Sequence, residues 1–247
     1  MNQLHEKTDL NGISFLFFDL DDTLIDHRTA QERGLIDLWT KFPPLQELDP
    51  KELTATFGRV NAGLWERYRD NSINKASLKR KRFENTFKEL EVKNVDWREA
   101  DAVYMDAYSR HWDWIEDARD VFVKLCEKYP CGIMTNGFTA VQKKKFEYFS
   151  FQRYCRLLII SEEVGYLKPD RRIFHYSAEM AGYPPEKILY VGDSYSSDII
   201  GGLQSGWKTA WYVPEKDFLD NPAELKKMAE KPDLVFHAFS ELLAVLS

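Results

Sequence analysis

The stretch Phe15–Asp26, FLFFDLDDTLID, sets an apolar run against four acids within twelve positions. Five of the six residues from Phe15 to Leu20 are apolar, as expected for a short strand covered on both faces. Asp19, Asp21 and Asp22, at the end of such a strand, face charge repulsion and desolvation together. A cation held among them would offset both, and the groups that would accompany it lie far along the chain.

From about residue 28 to 115 the pattern turns helical, amphipathic and rich in Trp and Tyr. Asp49-Pro50-Lys51-Glu52 combines an N-cap acid, Pro at the first helical position and Glu at the third, which predicts a helix start. Leu53, Phe57, Val60 and Leu64 then recur at helical spacing and are expected to face a core, with Phe83, Phe87 and Leu90 doing the same in another helix. Asn61, Trp65 and Tyr68 fall at i, i+4 and i+7 beside the first stripe. Core packing and a stacking surface for a base are both consistent with them.

From Asp117 onward, helices alternate with the short strands CGIMTN, RLLIIS, KILYVGD, KTAWYV and DLVF. RRIFHYSAEMAG reads as a helix closed by Gly182. Such alternation implies right-handed βαβ units on a mainly parallel sheet. The expected fold is α/β, a Rossmann-like, mainly parallel sheet flanked by helices and built from residues 1–24 and 116–247. Residues 25–115 are expected to be a helical cap inserted into it.

Ligands of such sheets bind beyond the carboxyl ends of the strands. Asp19 and Asp21 end the first strand, Thr135-Asn136-Gly137 the second, Ser161 the third and Gly192-Asp193 the fourth, with Lys168 on the loop after the third. Hard oxygen ligands suit Mg²⁺, which would keep these acids ionised. Thr135 and the amides near Asn136 and Gly137 suit phosphate oxygens. A cation, a lysine, amide donors and a free carboxylate are the parts needed for phosphoryl transfer to an aspartate.

DLDDTL, TNG, the Lys of GYLKPD, and GDSYSSD together resemble the four ordered motifs of the haloacid dehalogenase superfamily, whose phosphatases carry DxDxT, Ser/Thr, Lys and GDxxxxD. The resemblance implies Asp19 as a nucleophile that forms an aspartyl-phosphate. It implies Asp21 as the general acid that protonates the leaving alkoxide and then activates water. It also implies Mg²⁺ on Asp19, the backbone carbonyl of Asp21 and Asp193, with Thr135 and Lys168 holding the phosphoryl group and Asp198 steadying Lys168 or the metal shell. MTNGFTAVQKKKFE, IISEEVGYLKPDRRIFHYSAEMAG and VGDSYSSDIIGG are further similar to bacterial pyrimidine 5′-nucleotidases, with NAGLWERYRDNSI and KRKRFENTF a less specific match in the cap. That resemblance implies a nucleoside monophosphate as the small-molecule substrate and a cap that closes over the site, excludes water and contacts the leaving group. Asn61, Trp65 and Tyr68 become candidates for binding the base, with Arg82 beside them.

Rival functions keep the scaffold. A 2-haloacid dehalogenase shares the aspartate nucleophile, but a departing halide needs no proton and hence no Asp21. A sugar-phosphate or acylneuraminate-phosphate phosphatase shares all four motifs. A non-enzymatic binding module would have no need of every motif residue. Asp22 and Asp26 are expected to be a loop acid and a cap-boundary acid, Thr23 to support the loop or Asp21, and Gly201-Gly202 to pack close against the sheet.

The net charge of −6 argues against broad binding to nucleic acid polymers. Lys79-Arg80-Lys81-Arg82 is a dense basic run, but residues 25–115 carry 16 basic and 16 acidic residues, so a solvated helix face is expected there. Cys126, Cys131 and Cys155 lack metal-type spacing and suggest buried thiols in a reducing compartment. His5, His27, His111, His175 and His237 form no HxxH pair. The polar start MNQLHEKTDLNG has no signal-peptide core, and no segment reaches the roughly 20 apolar residues of a membrane span. The expectation is a soluble cytoplasmic enzyme, monomeric or a small homo-oligomer.

Overall fold

The computed structural model describes residues 10–220 and 230–247; most of the polar N-terminal segment, His5 included, lies outside the described residues. The chain divides into two compact units, Met1–Ile25 with Trp114–Ser247, and Asp26–Asp113.

The second unit is helical, with α1 (His27–Lys41), α2 (Pro50–Arg69), α3 (Lys75–Glu89) and α4 (Trp97–Arg110). Asp26, Asp49, Asn74 and Asp96 each accept a hydrogen bond from a backbone N–H of the first turn they precede. These caps satisfy donors that the helix itself leaves unpaired. Leu53, Phe57 and Leu64 are buried as their spacing predicts, but Val60 is half-buried because Asn61 takes the inward place. Phe57, Phe83 and Tyr104 meet ring to ring with centroids 5.1 to 5.7 Å apart.

Arg82 corrects the solvated-face reading of its basic run. It is buried and paired with Asp101, and its guanidinium lies 5.1 Å from the Tyr104 ring centroid. A guanidinium taken out of water needs such a partner, whereas Lys79, Arg80 and Lys81 stay half-buried or exposed. Arg82 therefore belongs to the interior of the helical unit.

The first unit is built on β1 (Phe15–Phe18), β2 (Cys131–Thr135), β3 (Cys155–Ile160), β4 (Ile188–Gly192), β5 (Lys208–Tyr212) and β6 (Leu234–Phe236). They form one parallel sheet in the order β3-β2-β1-β4-β5-β6. All four residues of the central β1 are buried. Successive side chains leave a strand on opposite faces, so FLFF feeds two cores. Leu16 and Phe18 join Val121, Phe122 and Leu125 of α5 (Ala118–Lys128) and Leu242 of the C-terminal helix Phe239–Leu246. Phe15 and Phe17 join Ile173, Phe174 and Ala178. Among the described residues, no helix is long and apolar enough to cross a membrane.

Two further expectations meet the structure here. A Cβ on Gly201 would enter the Phe174 ring and one on Gly202 would lie 2.7 Å from Thr209 Cγ2, so the glycine pair serves close packing. The three cysteines, unremarkable in spacing, come together: β2 sets Cys131 beside Cys155, and Cys126 of α5 adjoins both. All are free thiols. Hydrogen bonding between them, with burial, pushes Cys126 and Cys155 up and keeps both protonated.

Candidate active site

Strand register assembles the site. Phe18 stands level with Ile133 of β2 and Val191 of β4, and the Asp19 N–H donates to Val191 O at 2.8 Å. Asp19, Thr135 and Asp193 therefore leave three adjacent strands at the same edge, the crevice where ligands of parallel sheets bind. Ser161, after β3, starts the short helix α7 (Ser161–Val164) and is buried there.

Lys168 comes from the loop that follows α7. Asn136 fixes that loop, donating from Nδ2 to Lys168 O (2.9 Å) and accepting at Oδ1 from Lys168 N (2.8 Å). The Asn136 side chain is thus committed to the lysine's backbone. Buried Lys168 Nζ donates to Asp19 Oδ1 (2.6 Å), Tyr190 OH (2.7 Å) and Met134 O (3.2 Å), and lies 2.8 Å from Asp198 Oδ1. The Tyr190 hydroxyl in turn donates a hydrogen bond to Met134 O (2.7 Å). Tyr190 was the one polar-tipped residue inside an otherwise apolar strand, which is the signal that marks it in the sequence.

Asp198 is delivered by a π-helical turn, Tyr195–Ile199, and its Oδ2 accepts from Ser194 N (3.0 Å). Gly192 has to be glycine, since a Cβ would strike the Asp198 carboxylate. Thr23 Oγ1 donates to Asp193 Oδ1 (3.2 Å) and Trp211 Nε1 to Asp193 O (2.7 Å). Thr23 therefore supports Asp193, where the loop or Asp21 had been expected.

One ammonium faces more carboxylate than it can neutralise. Carboxylate oxygens of Asp19, Asp193 and Asp198 all lie within 4.8 Å of one another. Burial raises the Asp19 carboxyl most, Lys168 opposes it, and repulsion from Asp198 and Asp21 adds to the rise, leaving it at about 7. Burial alone would lower the Lys168 ammonium, but Asp19 and Asp198 outweigh it and raise it, so the lysine stays charged. Hard oxygens with an excess of negative charge are the donor set that suits Mg²⁺.

The raised value has a consequence for stability. A carboxyl whose folded-state value exceeds its ordinary 3.8 holds its proton more tightly when folded. Its contribution to stability is complete below 3.8 and is lost as pH rises through about 7. In EDTA, the thermal midpoint is expected to fall across this window, and Asp19→Asn to flatten the fall. Parallel pH profiles for the two proteins would contradict this.

Asp21 is engaged differently. Its Oδ1 pairs with buried Lys145 and its Oδ2 accepts from Gln142 Nε2 at 2.8 Å. Gln142 Nε2 also donates to Thr135 Oγ1 (2.9 Å), which Gly137 N reaches at 3.4 Å. With two donors on it, the Thr135 hydroxyl keeps its own proton to give, the polarity a phosphoryl oxygen requires. A Cβ on Gly137 would collide with the Gln142 amide. Both newcomers lie on α6 (Thr139–Tyr148), three residues apart and buried, whereas Lys143 and Lys144 are exposed. Three successive lysines hid the buried one, and helical spacing from Gln142 was the available clue.

The model of the haloacid dehalogenase-like hydrolases matches residues 13–206, a span that takes in Asp19, Asp21, Lys145, Lys168, Asp193 and Asp198. The chain is a haloacid dehalogenase-like hydrolase. This hydrolase is 34% identical over 200 residues to pyrimidine 5′-nucleotidase YjjG of Escherichia coli, covering 80% of this chain and 84% of that one. It is 27% identical over 207 residues to the N-acylneuraminate-9-phosphatase of Homo sapiens, covering 82% and 83%. The HAD-hydrolase YfnB of Bacillus subtilis, crystallised with magnesium bound, matches with a TM-score of 0.79 at 25% identity, over 95% of this chain and 98% of that one.

The hydrolase carries its remaining candidates on α2, in the helical unit. Asn61 is buried and donates weakly from Nδ2 to Gln31 Oε1 (3.4 Å). Trp65 and Tyr68 are half-buried and meet edge to face at 5.6 Å.

Proposed function

We propose that the protein is a Mg²⁺-dependent phosphomonoesterase that works through an aspartyl-phosphate on Asp19 and prefers the 5′-monophosphates of pyrimidine nucleosides. The observation that carries this reading is a pair of carboxylates two residues apart in unlike surroundings. Asp19 lies 2.6 Å from the Lys168 ammonium, while Asp21 rests on Lys145 and Gln142. Asp19 attacks phosphorus as the bond to the ester oxygen breaks, and Asp21 gives that oxygen its proton. Asp21 then takes a proton from the water that hydrolyses the aspartyl-phosphate. Lys168, Thr135 and the backbone amides at Asn136 and Gly137 hold the phosphoryl oxygens, and Asp198 holds Lys168. Mg²⁺, bound by Asp19, Asp193 and the Asp21 carbonyl, would neutralise phosphoryl charge. A halide needs no proton, so the second acid favours phosphate esters over 2-haloacids.

Phosphate chemistry is common to all these esters, so discrimination has to come from contacts to the rest of the substrate. The likeness to YjjG supports a pyrimidine nucleotide, and we assign its base to Asn61, Trp65 and Tyr68. The likeness to the human N-acylneuraminate-9-phosphatase supports a sugar phosphate as the second reading.

A panel of phosphomonoesters, read by phosphate release, separates them. UMP, dUMP and dTMP are expected to lead purine nucleotides and sugar phosphates, with activity lost in EDTA. Leading sugar phosphates would establish the second reading, and EDTA-insensitive chloride release from 2-haloacids would sink both. Trp65→Ala is expected to lower kcat/KM for UMP by about 10-fold or more, the scale of a lost base stack, and to spare p-nitrophenyl phosphate. Equal losses on the two esters would make Trp65 a packing residue.

A further inference from the structure

We infer that Lys145 and Gln142 are positioning residues for Asp21, and that α6 thereby ties the proton donor to the phosphoryl grip. The inference rests on the reading of Asp21 as the general acid. Lys145 has a side chain only 1% exposed, and a lysine so placed is costly unless it is paired. It pairs with Asp21, whose side chain is 26% exposed at the crevice. A pair of this kind is on average no more stable than an apolar replacement of similar volume, so stability alone gives little reason for it.

The geometry supplies a reason. Lys145 takes Oδ1 and Gln142 takes Oδ2. Two donors on separate oxygens fix both the location of the carboxyl group and its rotation about the Cβ–Cγ bond. A single contact would fix only the first. Carboxyl oxygens have a second acceptor position each, so the held group can still carry and transfer a proton. Gln142 divides the same Nε2 between Asp21 Oδ2 and Thr135 Oγ1 (2.8 and 2.9 Å), and the absence of a side chain on Gly137 makes room for it. One helix therefore sets the relative placement of the group that grips phosphate and the group that protonates the ester oxygen. Proton transfer needs that placement to within hydrogen-bond reach, and an error of about 1 Å costs on the order of 10²-fold.

The test is the dependence of kcat/KM on the leaving group, measured over a series of alkyl and aryl phosphates. This parameter covers the steps up to loss of the leaving group. Alkoxides need the proton and nitrophenolate does not. Asp21→Asn is expected to cost alkyl esters about 10²–10⁴-fold, with much smaller losses on p-nitrophenyl phosphate. Lys145→Met is expected to steepen the dependence in the same sense, costing alkyl esters on the order of 10–10²-fold at unchanged circular dichroism. Gln142→Met should also steepen it, and it carries the test if Lys145→Met does not fold; a uniform loss through Thr135 would leave the slope unaltered. A parental slope in these variants, with a steep one in Asp21→Asn, overturns the positioning role and leaves the phosphatase reading in place. A parental slope in Asp21→Asn removes the general acid itself, and the inference with it.

Discussion

Asp19→Asn is expected to abolish phosphomonoester turnover while the fold survives, with a loss on the order of 10⁶-fold, as when a covalent nucleophile is removed. The substitution changes little in shape. It removes one carboxylate from the cluster with Asp193 and Asp198, the one that the proposed mechanism makes the attacking group. The asparagine also resembles the protonated acid, the form that burial favours at a site raised to about 7. Above that value the variant should therefore unfold at a temperature no lower than the parent in EDTA. Catalysis is thus lost at this one position without a matching loss of stability. Normal circular dichroism with near-parental phosphate release would remove Asp19 from the mechanism.

Lys168→Met carries the second large effect, on rate and on stability alike. The ammonium touches both Asp19 and Asp198, so its loss leaves two buried carboxylates without their shared counter-charge. Breaking a buried pair from one side typically costs about 3–5 kcal/mol. On the proposed mechanism Lys168 is also a fixed donor to the phosphoryl group, and losing it adds about 10²–10³-fold in kcat. The stability loss has a definite pH sense. Without Lys168 the Asp19 value moves further above 3.8, so ionising it in the folded state becomes harder. The gap in thermal midpoint between variant and parent in EDTA should be wide near pH 8 and narrow towards pH 5, as Asp19 takes up its proton. A gap independent of pH would mean that Lys168 acts as packing and not as a counter-charge.

What the sequence determined by itself follows from local pattern. FLFF, CGIMT and ILYVG are apolar runs of strand length, and each ends in or leads directly to a polar group, Asp19, Thr135 and Asp193, that a buried strand would not otherwise place there. Parallel strands bring their carboxyl ends to one edge, so the order of those endings already described a site. The helix boundaries at Asp49 and Gly182 were legible for a similar reason, because caps are made by residues next to the turn they close. Tertiary structure alone decided which charged residues went inside. Arg82 and Lys145 each sit in a basic run whose other members stay at least partly exposed, and each is buried against an acid from elsewhere, Asp101 and Asp21. Thr23 finds Asp193 across 170 residues, and Asn136 spends its amide on the backbone of Lys168. Apolar burial can be read from period, because water penalises every exposed apolar face alike. The burial of a charge depends on one particular partner, and only the folded chain brings that partner within reach.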